Sequence, residues 1–214
     1  MKISLIYFNF PFWRAEVARI ALHYGGIDFN DIRISSDEFQ QVKTHGKLNN
    51  GIKIPFHQLP CLVVDDIPIS QTAGIARFCG KLSELYPMND NIIAARIDQF
   101  IDMASDITSI ISFTKPNLRD KTFVNEISRK LFILNKSIPE NNSFIVDNKI
   151  SICDIAIWSL ICWLTGKKVE GIPANILQDF ANIHKICLSI DKNTKINDWI
   201  NKTYPDTYLR SFNN

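Results

Sequence analysis

The first part of the chain alternates between patterns typical of strands and of helices. Residues 3–8 form an apolar run with β-branched and aromatic members, which predicts a buried strand. Across residues 12–24 the apolar positions recur every three or four residues, which predicts an amphipathic helix that Gly25-Gly26 ends. In residues 27–34 apolar and polar side chains alternate, and two of the polar ones are acidic, as expected of a strand near a sheet edge. The predicted order is strand, helix, strand.

Shorter elements continue this pattern. The polar stretch 35–53 predicts a loop with a short helix around 37–43. Strands are predicted at 61–64 and 67–69, and a helix at 71–85. This β-α-β then β-β-α order fits a thioredoxin-like domain, although element order alone leaves other α/β folds open.

The pattern changes at 86–90, where a proline and polar residues follow one another, and the apolar positions after it have helical spacing. Ser151 and Asp154 have the spacing of a capping box that opens a helix. Other helices are predicted at 93–113, 121–136, 174–180, 183–190 and 196–202. We therefore expect an α/β domain over 1–83, a linker over 84–90 and an all-helical domain over 91–214.

The composition of the chain argues against a nucleic-acid-binding protein and against a membrane-spanning one. The chain has 214 residues, of which 46% are hydrophobic and 21% charged, enough for one or two cores. Its net charge is +2 with scattered basic residues, so we expect no nucleic-acid partner. The apolar N-terminus lacks a small-residue cleavage site and is interpreted as a buried strand. No apolar stretch approaches the roughly 18 residues of a membrane span, so we expect a cytoplasmic protein.

Cysteines and histidines are dispersed along the chain. The five cysteines include no Cys-x-x-Cys pair, which favours reduced and mostly buried thiols. The four histidines have no metal-ligand spacing, so we expect no metal site. Cys61 follows a proline at the start of a predicted strand and is interpreted as a packed residue, not as a nucleophile.

One segment, 54–78, has the order expected of a site for a peptide-like ligand. Leu59-Pro60 precedes an apolar strand, and a tight turn then leads to Gln71-Thr72 at the mouth of a helix. Helix N-termini favour carboxylates because their N–H groups are unpaired. Upstream, Tyr7 ends the first strand, where an α/β sheet presents groups to ligands. By itself Tyr7 is better interpreted as a half-buried aromatic residue with a hydrated hydroxyl.

Taken with Arg14-Ala-Glu16-x-x-Arg19 and with Ser151-x-x-Asp154, this segment resembles the cytosolic glutathione S-transferases, closest to their tyrosine-using, sigma-like branch. The resemblance extends over almost the whole chain. It implies a thioredoxin-like domain followed by a helical bundle, glutathione as co-substrate, small hydrophobic electrophiles and a homodimer.

The resemblance assigns catalysis to Tyr7, whose phenol would stabilise the glutathione thiolate. Arg14 is expected to donate to the ligand or to orient Tyr7, and a solvated helix arginine is the alternative. Glu16 and Arg19 are expected to form structural pairs. The redox cysteine of thiol-transferase relatives is missing from the run Phe10-Pro-Phe-Trp13.

Glutathione contacts follow from the same resemblance. A cis Leu59-Pro60 bond would let the Leu59 backbone pair with the cysteinyl main chain, beside Gln58. Gln71 and Thr72 would hold the γ-glutamyl end.

At the glycyl end, Lys43 would pair with the carboxylate, whereas Phe39 stands where these enzymes usually carry a hydrogen-bonding Trp. Lys47 and Lys53 either compensate or are solvated. Asp106 would reach the γ-glutamyl ammonium of the other subunit. Phe56 is either an aromatic key in the partner or a buried loop anchor.

For the second substrate the expected residues are Phe10, Phe12, Trp13, Thr108 and Phe113, covered by the tail residues Tyr208 and Phe212. Two alternatives to a conjugating enzyme stay open at this point. One is a noncatalytic binding or structural relative, and the other is a glutathione-dependent isomerase or peroxidase.

Overall fold

The computed structural model describes residues 1–11, 13–166, 169–173 and 175–204. The elements of its first half are β1 (Ile3–Phe8), α1 (Trp13–Tyr24), β2 (Asn30–Ile34), α2 (Ser36–His45), β3 (Cys61–Val64), β4 (Ile67–Ser70) and α3 (Thr72–Leu82). The strands form a mixed sheet with the order β2-β1-β3-β4. β1 pairs in parallel with β2 and antiparallel with β3, which pairs antiparallel with β4. This is the predicted thioredoxin-like arrangement.

The sheet separates two apolar clusters because successive strand side chains point to opposite faces. Leu5 and Tyr7 of β1 belong to the larger cluster, which continues through α1 and α3 into the helical half. Ile6 belongs to the smaller cluster, which also contains Val42 of α2 and Ile54. The smaller cluster anchors α2 and the loop after it to the sheet.

The second half is helical. Its elements are α4 (Asn91–Phe113), α5 (Lys121–Ser137), α6 (Ile152–Thr165), α7 (Ala181–Asp191) and α8 (Thr194–Thr203). α6 is buried along nearly its whole length and contacts α1, α4 and α7. No helix in the described ranges is long and apolar enough to cross a membrane.

α6 begins as the sequence predicts, at a capping box between Ser151 and Asp154. The buried Asp154 carboxylate accepts from the Ser151 N–H at 2.8 Å and from the Ile145 N–H at 2.7 Å. Burial raises the pKa of Asp154 to about 6, although these hydrogen bonds oppose the rise. The motif therefore fastens the preceding loop to α6 as well as starting the helix.

Two helix predictions need correction. A helix over 174–180 is wrong, because residues 175–179 form turns and 174 lies outside the described ranges. α7 starts at Ala181, where the Asn135 side chain accepts from the Asn182 and Ile183 N–H groups at 2.9 and 3.1 Å. α3 ends at Leu82, three residues before the predicted end at 85, as Glu84 adopts φ 59°, outside the helical region.

Candidate functional site

Tyr7 lies at the end of β1 with 5% of its surface exposed. Its ring centroid is 5.8 Å from that of Phe10 in the following loop. Burial raises the pKa of the Tyr7 phenol well above its usual value, while the positive charges of Arg14 and Arg19 oppose the rise. The phenol therefore stays protonated at neutral pH and can act as a hydrogen-bond donor.

Arg19 holds the loop that follows Tyr7. Its fully buried guanidinium donates to the carbonyl oxygens of Phe8 at 3.2 Å and Phe10 at 3.5 Å, and lies 6.0 Å from the Tyr7 ring centroid. It also pairs with Glu16 at 3.2 Å and Asp31 at 3.0 Å, so the predicted Glu16–Arg19 pair is confirmed.

The C-terminal helix reaches the same buried cluster. The Tyr204 hydroxyl donates to Glu16 at 3.0 Å, and the Trp199 indole N–H donates to the other Glu16 oxygen. The Arg19 guanidinium lies 3.4 Å from the Tyr204 oxygen. Burial lowers the pKa of Arg19, but Glu16, Tyr204 and Asp31 raise it more, so Arg19 remains charged. We did not predict Trp199 and Tyr204 from the sequence, because no local pattern marks a contact across more than 180 residues.

On the outer side of the sheet, Phe39 and Lys43 of α2 lie side by side. The Phe39 ring meets Phe8 edge to face at a centroid distance of 5.2 Å. The exposed Lys43 ammonium lies 4.9 Å from the Phe39 ring centroid. A cation at this position is available to an anionic ligand group.

The segment from Gln58 to Pro60 has the predicted cis Leu59-Pro60 peptide bond. Gln58 is exposed, and Leu59 is half-buried between the two apolar clusters. Among the described residues, the backbone N–H and C=O of Leu59 have no hydrogen-bond partner. An extended peptide can therefore pair with this backbone as an added strand.

Gln71 has an unusual backbone conformation. It is the N-cap of α3 with φ 76° and ψ 121°, and its side chain makes no cap hydrogen bond. Gln71 is exposed, whereas Thr72 is buried at the first position of the helix. Sparsely populated conformations concentrate at ligand sites. The first turn of α3 thus offers N–H groups and a free amide to a carboxylate.

The residues predicted to bind the second substrate do not all lie together. Phe10 lies against Tyr7, but Trp13 and Thr108 are buried, and the Trp13 indole N–H donates to the Thr108 hydroxyl at 2.7 Å. This buried bond joins α1 to α4. Phe113 ends α4 with 87% of its surface exposed. Phe12, Tyr208 and Phe212 lie outside the described residues.

Two residues predicted to reach a second subunit are exposed. Asp106 is 65% exposed on its side chain and lies 3.7 Å from Lys130 of its own chain. Phe56 is 70% exposed with φ 58°, so the alternative that it is a buried loop anchor is wrong.

Buried cysteines do not supply a nucleophile near this site. All five cysteines are buried and none forms a disulfide, which confirms the predicted burial. Burial raises the pKa of Cys61 to about 11, so its thiolate is disfavoured at neutral pH. No group of three or more metal-ligating side chains occurs in the part of the chain that the structure describes.

Two further cavities lie away from Tyr7, where α3 leads into the helical half. They measure about 330 and 400 Å³ and share the lining residues Glu84, Leu85, Lys149 and Ile150. None of the predicted site residues lines either cavity.

Comparison with known proteins agrees with the fold and the motifs. The model of the family "Glutathione S-transferase, N-terminal domain" matches residues 3–80. Probable glutathione S-transferase 6 of Caenorhabditis elegans is 30% identical over 165 residues, covering 72% of this chain and 76% of the worm protein. Hematopoietic prostaglandin D synthase of Rattus norvegicus is 25% identical over 209 residues, covering 96% and 98%.

A solved structure, prostaglandin synthase D of Nilaparvata lugens, superposes with a TM-score of 0.78 at 26% identity, covering 94% of this chain and 98% of that one. The thioredoxin-like sheet with its cis-proline and the following helical bundle define the architecture of cytosolic glutathione transferases. This chain belongs to the glutathione S-transferase family.

Proposed function

We propose that this protein conjugates glutathione to small hydrophobic electrophiles and that Tyr7 stabilises the glutathione thiolate. The observation that carries the proposal is the protonated, buried phenol of Tyr7 at the end of β1. The predicted glutathione contacts lie on α2, on the cis-proline segment and at the start of α3.

The chemistry requires a thiolate at neutral pH. A free thiol has a pKa of about 8.5, so roughly 3% is ionised at pH 7. A phenol that donates to the sulfur favours the charged form, and a pKa of about 6.5 would raise the ionised share to roughly three quarters. The thiol proton leaves to solvent, the sulfur forms a bond to the electrophilic carbon, and the leaving group departs with its electron pair. Arg14 assists by adding positive charge beside Tyr7.

Glutathione binding is divided among three segments. Lys43 would pair with the glycyl carboxylate beside Phe39. Gln58 and the backbone of Leu59 would pair with the cysteinyl main chain. Gln71 and Thr72 would hold the γ-glutamyl end at the N-terminus of α3. The reducing cytoplasm is the proposed location, and five buried cysteines that form no disulfide support it.

Tyr7→Phe tests the proposal in an assay with glutathione and a chlorodinitrobenzene substrate. We expect kcat to fall about 100-fold because one preorganised donor is lost, with KM for glutathione almost unchanged. Tyr24→Phe, the same change at the end of α1, is the control and should keep full activity. The proposal fails if the wild-type protein binds glutathione but shows no turnover above the uncatalysed rate with any electrophile class tested.

A homodimer is part of the proposal, since Asp106 would reach the glutathione ammonium of the other subunit. Asp106→Ala should then weaken glutathione affinity several-fold by calorimetry, roughly the loss of one charge-assisted hydrogen bond. Asp102→Ala is the matched control, because Asp102 is similarly exposed and lies 3.6 Å from Arg77. Unchanged affinity in Asp106→Ala would eliminate the role across subunits.

Isomerisation of a prostaglandin-like endoperoxide is the second candidate function. It is favoured by the likeness to two proteins named as prostaglandin D synthases. The same thiolate would serve, so assays of the wild-type protein with an endoperoxide and with chlorodinitrobenzene separate the two activities. Product formation with the endoperoxide and none with chlorodinitrobenzene would replace conjugation by isomerisation.

A further inference from the structure

The loop between α2 and the cis-proline segment is fastened at both ends. The Ile54 N–H donates to the Gly46 carbonyl at 2.7 Å, and the Ser70 hydroxyl donates to the Pro55 carbonyl at 3.1 Å. Two residues after Pro55, His57 turns back to α2. Its Nδ1 lies 3.0 Å from the Lys43 carbonyl oxygen, and because a carbonyl only accepts, His57 is the donor.

This hydrogen bond gives a donor to a backbone carbonyl group at the C-terminal end of α2. The last carbonyl groups of a helix have no partner inside it, and Lys43 lies in the last turn of α2. α2 ends at His45 and is capped by Gly46, which has the left-handed conformation typical of a helix end. A Cβ on Gly46 would lie 2.4 Å from His57 Nε2, so the imidazole occupies the space that the glycine leaves open.

The backbone of this segment is itself unusual. Phe56 and His57 both have positive φ, at 58° and 53°. Two successive non-glycine residues in this region are uncommon, and such conformations persist where the surrounding structure fixes them. Gln58 and Leu59 follow directly, so the position of His57 determines where their backbone starts.

We propose that His57 is a positioning residue that sets the distance between the glycyl and the cysteinyl contacts of the glutathione site. It joins the helix end carrying Phe39 and Lys43 to the segment carrying Gln58 and Leu59. The inference rests on the proposed function, because it takes these residues as glutathione contacts. His57 itself need not touch the ligand.

A set of substitutions at one position tests this role. His57→Gly removes the hydrogen bond and should raise KM for glutathione about fivefold with kcat almost unchanged. His57→Asn places an amide N–H where Nδ1 lies and tolerates positive φ, so it should restore the wild-type KM. His45→Ala, an exposed histidine of the same helix end, is the control and should change nothing.

Gly46→Ala gives an independent check, because its Cβ would displace the imidazole. Alone it should raise KM for glutathione, and in the His57→Gly background it should add much less. Amide hydrogen exchange of residues 43–58 without ligand should be faster in His57→Gly than in His57→Asn.

The outcomes separate this inference from the proposed function. A wild-type protein that binds no glutathione overturns the proposed function, and His57 then positions no such site. A wild-type protein that binds glutathione, with an unchanged KM in His57→Gly, overturns only the role of His57. Faster amide exchange in His57→Gly together with an unchanged KM would also overturn the role of His57, since His57 would then hold the loop without positioning the site.

Discussion

The inner and outer sides of the proposed glutathione site are held by different kinds of contact. On the inner side, Arg19 and Glu16 are fully buried and pair with each other, and Arg19 also donates to the carbonyl oxygens of Phe8 and Phe10. On the outer side, Lys43 and His57 are exposed, and the loop depends on positive φ angles and single hydrogen bonds.

The difference follows from solvation. A buried charge that loses its partner cannot be rescued by water, so the penalty is large. Exposed charges regain water when a partner is removed, so the penalty is small. We therefore expect substitutions on the inner side to change the free energy of unfolding, and substitutions on the outer side to change glutathione affinity.

The largest expected effect is that of Arg19→Met. It leaves Glu16 buried without its cation and removes the donors to the Phe8 and Phe10 carbonyls. We expect a loss of about 3–5 kcal/mol in the free energy of unfolding, measured by urea denaturation.

Arg77→Met is the matched control for this prediction. Arg77 pairs with Asp98 at 2.7 Å, but both side chains are partly exposed. We expect it to lose at most about 1 kcal/mol. Equal losses in the two variants would remove the proposed contrast between buried and exposed pairs.

A smaller effect is expected for Lys43→Ala on the outer side. Losing the cation for the glycyl carboxylate should raise KM for glutathione roughly fivefold, while the urea midpoint stays unchanged. Lys47→Ala and Lys53→Ala test whether these loop lysines replace the hydrogen bond that Phe39 lacks. If they are only solvated, both substitutions leave KM for glutathione unchanged. A lower urea midpoint in Lys43→Ala would contradict the division between the two sides.

The smallest effect is expected for Phe39→Trp. Phe39 already packs against Phe8 and under Lys43, so an indole at this position gains an N–H toward the glycyl carboxylate. We expect KM for glutathione to fall about threefold by steady-state kinetics. A rise in KM would show that the larger ring does not fit between Phe8 and α2.

Local sequence patterns predicted the features that depend only on residues close together in the chain. β1 and β3 have the predicted bounds, and the Ser151–Asp154 capping box and the Glu16–Arg19 pair lie as expected. These features need only alternation, cap spacing or a helical separation of three residues.

The remaining features depend on contacts between distant parts of the chain. Asn135 of α5 caps α7, so the helix start could not be deduced from residues near 180. Trp13 donates its indole N–H to Thr108 of α4, a contact across 95 residues that no local pattern indicates. His57 carries no local sequence signal, because its partner Lys43 is 14 residues away.

The central claim is that Tyr7 lowers the pKa of the bound glutathione thiol, and thiolate absorbance measures it directly. Burial keeps the Tyr7 phenol protonated across this pH range, so the titration reports the thiol. We expect the complex with wild-type protein to titrate well below the free value of about 8.5, and the Tyr7→Phe complex to titrate close to it. Identical midpoints in the two complexes would contradict the claim.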